Sequence, residues 1–213
     1  MEAMWSRFFP LMTKVRSLLT DGVIGDVQML VADLCIRFDL NPADRRYALD
    51  LGGGALLDLG VYLVSFASMI MGPPSRIATL AHLGETGVDE QAGIVLRYDQ
   101  GQVSTLYTSI RVDSPVEAIL MGSKGQIRIH PWWIRPNKLT LSVAGQETTT
   151  IEMPFEGNGY QFEAAKVMDC LRANKLESEL MPLEETLSII QTMDAIRAQW
   201  GLKYPNERTE DTR

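Results

Sequence analysis

Leu51-Gly-Gly-Gly-Ala-Leu-Leu-Asp-Leu-Gly-Val-Tyr62 decides how the rest of the chain is read. Three glycines open it, and Asp58 and Tyr62 follow four residues apart in an otherwise apolar run. On an α-helix that spacing puts both side chains on one face. Gly60 between them lacks a Cβ, so a ligand or another backbone can come close there. The run continues through Leu63-Val-Ser-Phe-Ala-Ser-Met-Ile-Met71 and stops at Gly72-Pro73-Pro74, a strong helix-stop signal. A helix apolar all round but for one carboxylate and one phenol is expected to be buried. An unpartnered carboxylate there would cost on the order of several kcal/mol, so Asp58 needs a partner or a task. On pattern alone, a core helix whose Asp58 caps a neighbouring backbone remains open. Residues 55–71 come near the lower limit for a membrane span, but Asp58 near the start and the Gly-Pro-Pro exit favour a core helix.

On either side the pattern changes. Phe9 to Thr20 reads as an amphipathic helix, with Pro10 in its first turn and Gly22 past its end. Val27 to Phe38 is an apolar, β-branched strand behind the turn Gly25-Asp26, and 41–50 is a loop. From Ile77 to Ile151 short strands recur: Ile77–His82, Gln91–Tyr98, Val103–Ile110, Val116–Met121, Gln126–His130, Leu139–Val143 and Thr148–Ile151. Asp99-Gln100-Gly101 and Ser123-Lys124-Gly125 serve as hairpin turns, and helices follow at Tyr160–Ala173 and Pro182–Trp200. Strands joined by tight turns must be antiparallel. Helices gathered at the chain ends must cover one face of such a sheet. The fold class is therefore α+β: a large, mostly antiparallel open β-sheet covered by helices on one face, with the other face free for a partner.

Composition excludes several functions. Of 213 residues, 46% are hydrophobic and 22% charged, enough for a substantial core. A formal net charge of −7 lacks the footprint of a nucleic-acid binder. Cys35 and Cys170 stand far apart with no Cys-x-x-Cys and no His spacing. Neither a metal site nor a disulfide scaffold is expected, and a reducing cytoplasmic setting suits them. No signal-peptide pattern follows Met1, so neither secretion nor a membrane partner is expected.

Gly-Gly-Gly-Ala-Leu-Leu-Asp-Leu-Gly-Val-Tyr resembles the Gly-Gly-Gly-x-x-x-Asp-x-Gly-x-His/Tyr signature of the Gfo/Idh/MocA oxidoreductase family. Tyr in the last place is closest to its dimeric dihydrodiol dehydrogenase and NADP-dependent D-xylose dehydrogenase branch. Met1-Glu-Ala-Met-Trp-Ser-Arg-Phe-Phe-Pro10, Glu85-Thr-Gly-Val-Asp-Glu90 and Gly122-Ser-Lys-Gly125 resemble further motifs of that branch. The resemblance runs to about Pro205. It implies a glyceraldehyde-3-phosphate dehydrogenase-like C-terminal domain acting on CH–OH groups of a trans-dihydrodiol or an aldose sugar, with NADP or NAD. Tyr62 would be the general acid/base, and Asp58 would orient a substrate hydroxyl or hold the network of the Tyr with the family's Lys. Trp5, Trp133 and Phe155 would wall the substrate pocket. Arg7 would reach the cofactor or bridge two domains.

Family members begin with a Rossmann domain carrying Gly-x-Gly-x-x-Gly and a Glu-Lys-Pro whose Lys works with the Tyr or His. No Glu-Lys-Pro occurs here, and Gly52-Gly53-Gly54 reads as a helix entry instead of a pyrophosphate loop. A phenol with a pKa of about 10 is a poor base without a nearby cation. Alone, the chain is expected neither to bind NADP or NAD nor to turn over substrate. Residues 1–20 are expected to end the cofactor domain and connect it, 21–205 to form the catalytic, substrate and oligomerisation domain, and 206–213 to be a frayed tail. Trp132-Trp133 beside Pro131 reads equally well as sheet-edge packing, and Arg45 or Arg46 could reach a substrate. The alternative function is a non-catalytic dimerisation or sugar-binding module. A homodimer through the sheet face is expected either way.

Overall fold

Strict alternation in Asp89–Arg97 shows how the sheet is made: Ala92, Ile94 and Leu96 turn inward, and Gln91, Gly93, Val95 and Arg97 turn out. The computed structural model describes residues 1–207; the expected tail lies, beyond Glu207, outside the described residues. In chain order the elements are α1 (Pro10–Thr20), β1 (Val27–Cys35), α2 (Val61–Met71), β2 (Arg76–Leu83), β3 (Asp89–Arg97) and β4 (Val103–Ser109). Then come β5 (Ala118–Gly122), β6 (Gly125–Ile129), β7 (Lys138–Val143), β8 (Thr149–Glu152), α3 (Tyr160–Arg172) and α4 (Leu183–Ala198). The strands form one eight-stranded sheet in the order β2-β3-β4-β1-β5-β6-β7-β8.

Every pairing is antiparallel except β1 with β4. That pair is parallel because the chain leaves β1, crosses through α2 and returns by the β2–β3–β4 meander. The inner face carries Leu30, Leu34, Leu106, Leu120, Ile127 and Leu139, all without exposed surface, in one cluster with Leu11 and Val15 of α1 and Leu63 of α2. On the outer face, register aligns Leu80, Gly93, Tyr107 and Asp33 across four strands.

The helix expected from residue 55 starts differently. Leu56–Gly60 is a π turn, and regular α-helix begins at Val61. Apolar periodicity does not distinguish the two, and a wider turn of this kind often marks a functional site. The stretch Leu49–Met71 has a mean hydropathy of 1.7 and the length to cross a membrane. Its Leu56, Leu63, Val64, Phe66 and Ala67 lie instead in the core under the sheet.

Candidate functional site

Asp58 and Tyr62 project from the π turn and the first turn of α2, and each finds a partner from a different part of the chain. The loop before the glycines brings Arg45 to Asp58, with Nη1 2.5 Å from Oδ1. The arginine is mostly exposed, so this pair adds little to stability and leaves the carboxylate reachable. At the N-terminus, a short 3-10 turn over Trp5–Phe8 lies against α2. From it the Trp5 indole N–H donates to Tyr62 Oη at 3.1 Å. That bond uses one acceptor site of the phenol and leaves its own O–H free for another group.

Burial is the largest influence on Tyr62 and pushes its phenol pKa up; the Trp5 bond partly opposes this. The charged and polar neighbours Tyr160, Asp58 and Glu163 push it further up. Among the described residues, none of the groups acting most strongly on it is a cation. An aromatic chain runs outward from the site: Trp5 to Tyr160 at 4.8 Å between centroids, Trp5 to Phe9 at 5.4 Å, Phe9 to Phe155 at 4.9 Å and Phe155 to Phe162 at 5.8 Å. Tyr160 stays half exposed. The arrangement is a phenol with a free proton, a carboxylate one turn away and an aromatic wall beside them.

The sequence profile of the GFO/IDH/MocA C-terminal domain matches residues 12–128, more than half of the chain. The chain belongs to the GFO/IDH/MocA family. It is 35% identical over 218 residues to trans-1,2-dihydrobenzene-1,2-diol dehydrogenase of Mus musculus, covering 98% of this chain and 64% of that protein. It is 32% identical to the NADP(+) D-xylose 1-dehydrogenase of Hypocrea jecorina, covering 99% and 62%. This GFO/IDH/MocA chain thus spans 64% or less of the length of these relatives. Among solved structures, a 3-ketoreductase of Actinomadura kijaniata superposes with a TM-score of 0.79 at 22% identity, covering 93% of this chain and 61% of that one. An aldose-aldose oxidoreductase of Caulobacter crescentus gives 0.80 at 20%, covering 92% and 61%. At these identities the structures bear out the fold of the GFO/IDH/MocA C-terminal domain and nothing finer.

The residues picked out by the GFO/IDH/MocA resemblance do not all converge. Tyr62, Asp58 and Trp5 come together, and Phe155 joins them through Phe9. Trp133 has no exposed surface; its Nε1–H donates to Asp33 O at 2.8 Å and its ring packs on Phe66 at 4.9 Å. It therefore backs α2 from inside and cannot present a wall to solvent. Its neighbour Trp132 is the exposed one, in a left-handed conformation with φ 66°. Arg7, expected to reach the cofactor or bridge two domains, spends its donors within this chain. Its Nε donates to Ser65 Oγ at 2.9 Å, its Nη2 to Ser65 O and to Glu185 Oε1 at 2.6 Å, and its Nη1 to Leu180 O at 3.3 Å. Buried and almost fully engaged, it braces the Trp5 turn to α2 and α4.

Two residues of the site escaped the sequence reading. Tyr160 and Glu163 arrive from α3, and Glu163 Oε2 is buried without a hydrogen-bond partner. Burial pushes the Glu163 carboxyl up. The available signal was their i, i+3 spacing at the head of a helix behind Gly157-Asn158-Gly159.

The glycine segment does not fit a dinucleotide pyrophosphate. A Cβ on Gly53 would stand 2.9 Å from the carbonyls of Arg45 and Ala48, and one on Gly54 would stand 2.2 Å from Asp89 Oδ1. The chain's own backbone and a carboxylate already fill the space where phosphate oxygens would need N–H donors. Among the described residues no group of three His, Cys, Asp or Glu side chains could hold a metal ion.

Proposed function

We propose that this chain is the catalytic portion of an NAD(P)-dependent oxidoreductase acting on CH–OH groups of a trans-dihydrodiol or an aldose sugar. The observation that carries this is the Trp5–Tyr62 hydrogen bond, which holds a phenol with its proton free beside Asp58 and an aromatic wall. The relatives' names supply the substrate class: a dihydrobenzene diol for one group and D-xylose for another. When a secondary alcohol or hemiacetal becomes a carbonyl, the hydroxyl proton passes to Tyr62 as phenolate. Asp58, steered by Arg45, accepts a hydrogen bond from a second hydroxyl. Trp5 and Tyr160 stack on the apolar face of the ring, Phe155 backs Trp5 through Phe9, and Trp133 packs on Phe66 of α2 from inside. The nicotinamide cofactor's part is to accept the hydride.

The closed glycine segment cannot grip NADP or NAD, so we assign that grip to a separate dinucleotide-binding domain, which also brings the cation that Tyr62 lacks. By itself the chain should be inactive and bind neither dinucleotide usefully. Residues 1–20 lead from such a domain, and 21–205 form the substrate and oligomerisation unit. Two buried free cysteines suit a cytoplasmic setting. We further propose a homodimer through the outer sheet face, where Leu80, Val95 and Tyr107 leave an apolar surface open. A non-catalytic dimerisation module is the second reading, favoured by that same surface.

Titrating the chain with trans-1,2-dihydrobenzene-1,2-diol and with D-xylose while following tryptophan fluorescence tests the binding half. We expect saturable quenching by one of them that Trp5→Phe abolishes. No response to either ligand would favour the dimerisation module.

A further inference from the structure

Asp89 opens β3 and has no exposed surface. Its Oδ2 accepts the Leu56 N–H at 2.7 Å, the first amide of the π turn. Its Oδ1 is buried without a hydrogen-bond partner and lies against Gly54, whose φ of 122° suits glycine and whose missing Cβ makes the room. Tyr204 closes the same corner by donating to Gly53 O at 2.8 Å. A sealed carboxylate with one oxygen idle weakens a fold, and an amide of the same shape would fill the space at lower cost. What the side chain provides is an acceptor for an amide that starts a helical turn and has no partner within it. That turn runs without a break into the first turn of α2, where Tyr62 sits.

We propose that Asp89 is the positioning residue of the candidate site: its carboxylate fixes where the Leu56–Gly60 turn begins and thereby sets Asp58 and Tyr62 against Arg45 and Trp5. This rests on the reading of Tyr62 as the proton-transfer group.

Burial pushes the Asp89 carboxyl up to about 7, opposed by the backbone amides of Leu56 and of Asp89 itself. The titratable group facing it from the C-terminal segment is Tyr204, on which Arg197 of α4 and Glu207 also act. On β3, Glu90 is paired with Arg111, and across the π turn Asp58 is paired with Arg45. Because the folded-state pKa lies above the ordinary carboxyl value near 4, the folded chain holds the extra proton between about 4 and 7. This group's contribution to stability is therefore full below about pH 4 and is lost as pH rises through about 7.

The test follows the indole N–H resonances of the 213-residue chain by NMR from pH 5 to 9, with Trp5 assigned through Trp5→Phe. In the wild type the Trp5 resonance, which reports the bond to Tyr62, should move with a midpoint near 7. Asp89→Asn keeps an acceptor for Leu56 but cannot ionise; it should stay folded, and the movement should vanish. Asp89→Ala removes the acceptor and should displace the Trp5 resonance at every pH, with Asn restoring it. A Trp5 resonance that titrates alike in wild type and Asp89→Asn overturns the proposal, because a group other than Asp89 would then be its source. So does one that never titrates in the wild type, or one unmoved in a folded Asp89→Ala chain. If Asp89→Ala does not fold, the Asn comparison decides. Full turnover by Tyr62→Phe in an assembled enzyme would sink the functional reading and leave this resonance test standing.

Discussion

The two faces of the sheet come from the same strands and end differently. On one, Leu30, Leu106, Leu120 and Ile127 are sealed with α1 and α2 in a single cluster. On the other, Leu80 keeps 83% of its surface and Val95 and Tyr107 keep 41% each. Period-two alternation sends residues to the two faces, but it is silent about what covers the second. The difference also places the chemistry. The helical layer is where polar groups are held in fixed pairs, Trp5 to Tyr62 and Arg45 to Asp58. The open face carries solvent-exposed ion pairs, Arg128 with Glu117 and Lys138 with Glu152, and offers apolar surface with a hollow over Gly93. Trp132 and Trp133 repeat the contrast within two residues: one is 52% exposed and the other fully buried.

The sharpest way to break this contrast is to empty the covered side. Trp133→Ala removes a sealed ring and its bond to Asp33, and should cost about 3–5 kcal/mol in urea denaturation. A loss under 1 kcal/mol (a typical surface effect) would mean that the ring is not packed as described. Next, Leu80→Asp on the open face should leave folding stability within about 0.5 kcal/mol yet shift sedimentation at micromolar concentration from dimer to monomer. A wild type that stays monomeric at every concentration would leave the open face without the partner proposed for it. The smallest effect belongs to Trp132→Gly. Relief of the left-handed backbone offsets what little packing the half-exposed ring provides, so folding stability should move by no more than about 1 kcal/mol in the same denaturation.

Much of this was legible in the chain, for local reasons. Asp99-Gln100-Gly101 and Ser123-Lys124-Gly125 are turn chemistry, and they set the β3–β4 and β5–β6 hairpins where they were expected. Asp58 in the π turn and Tyr62 in the first turn of α2 lie close enough for the carboxylate to act on the phenol. What stayed hidden depends on partners distant in sequence. Asp89 reads as the polar start of a strand, and nothing near it shows that its partner is an amide at Leu56. Trp133 could not be told from Trp132, because adjacent residues in a loop follow no period and only the fold decides which is buried. Arg7 looked free for a ligand because its partners, Ser65, Leu180 and Glu185, come from segments far along the chain. Tyr160 and Glu163 reach Tyr62 only once α3 packs beside the Trp5 turn.

The central claim is that Tyr62 carries the proton. It is tested most directly by fusing the chain to a dinucleotide-binding domain and comparing wild type with Tyr62→Phe in NADP-dependent oxidation of a trans-dihydrodiol and of D-xylose. The Phe variant keeps the ring and its packing and loses one hydroxyl. Turnover should fall by roughly 10²–10⁴-fold, with NADPH affinity unchanged. Near-normal turnover in the Phe variant would contradict the account and make Asp58 or Glu163 the proton-transfer group.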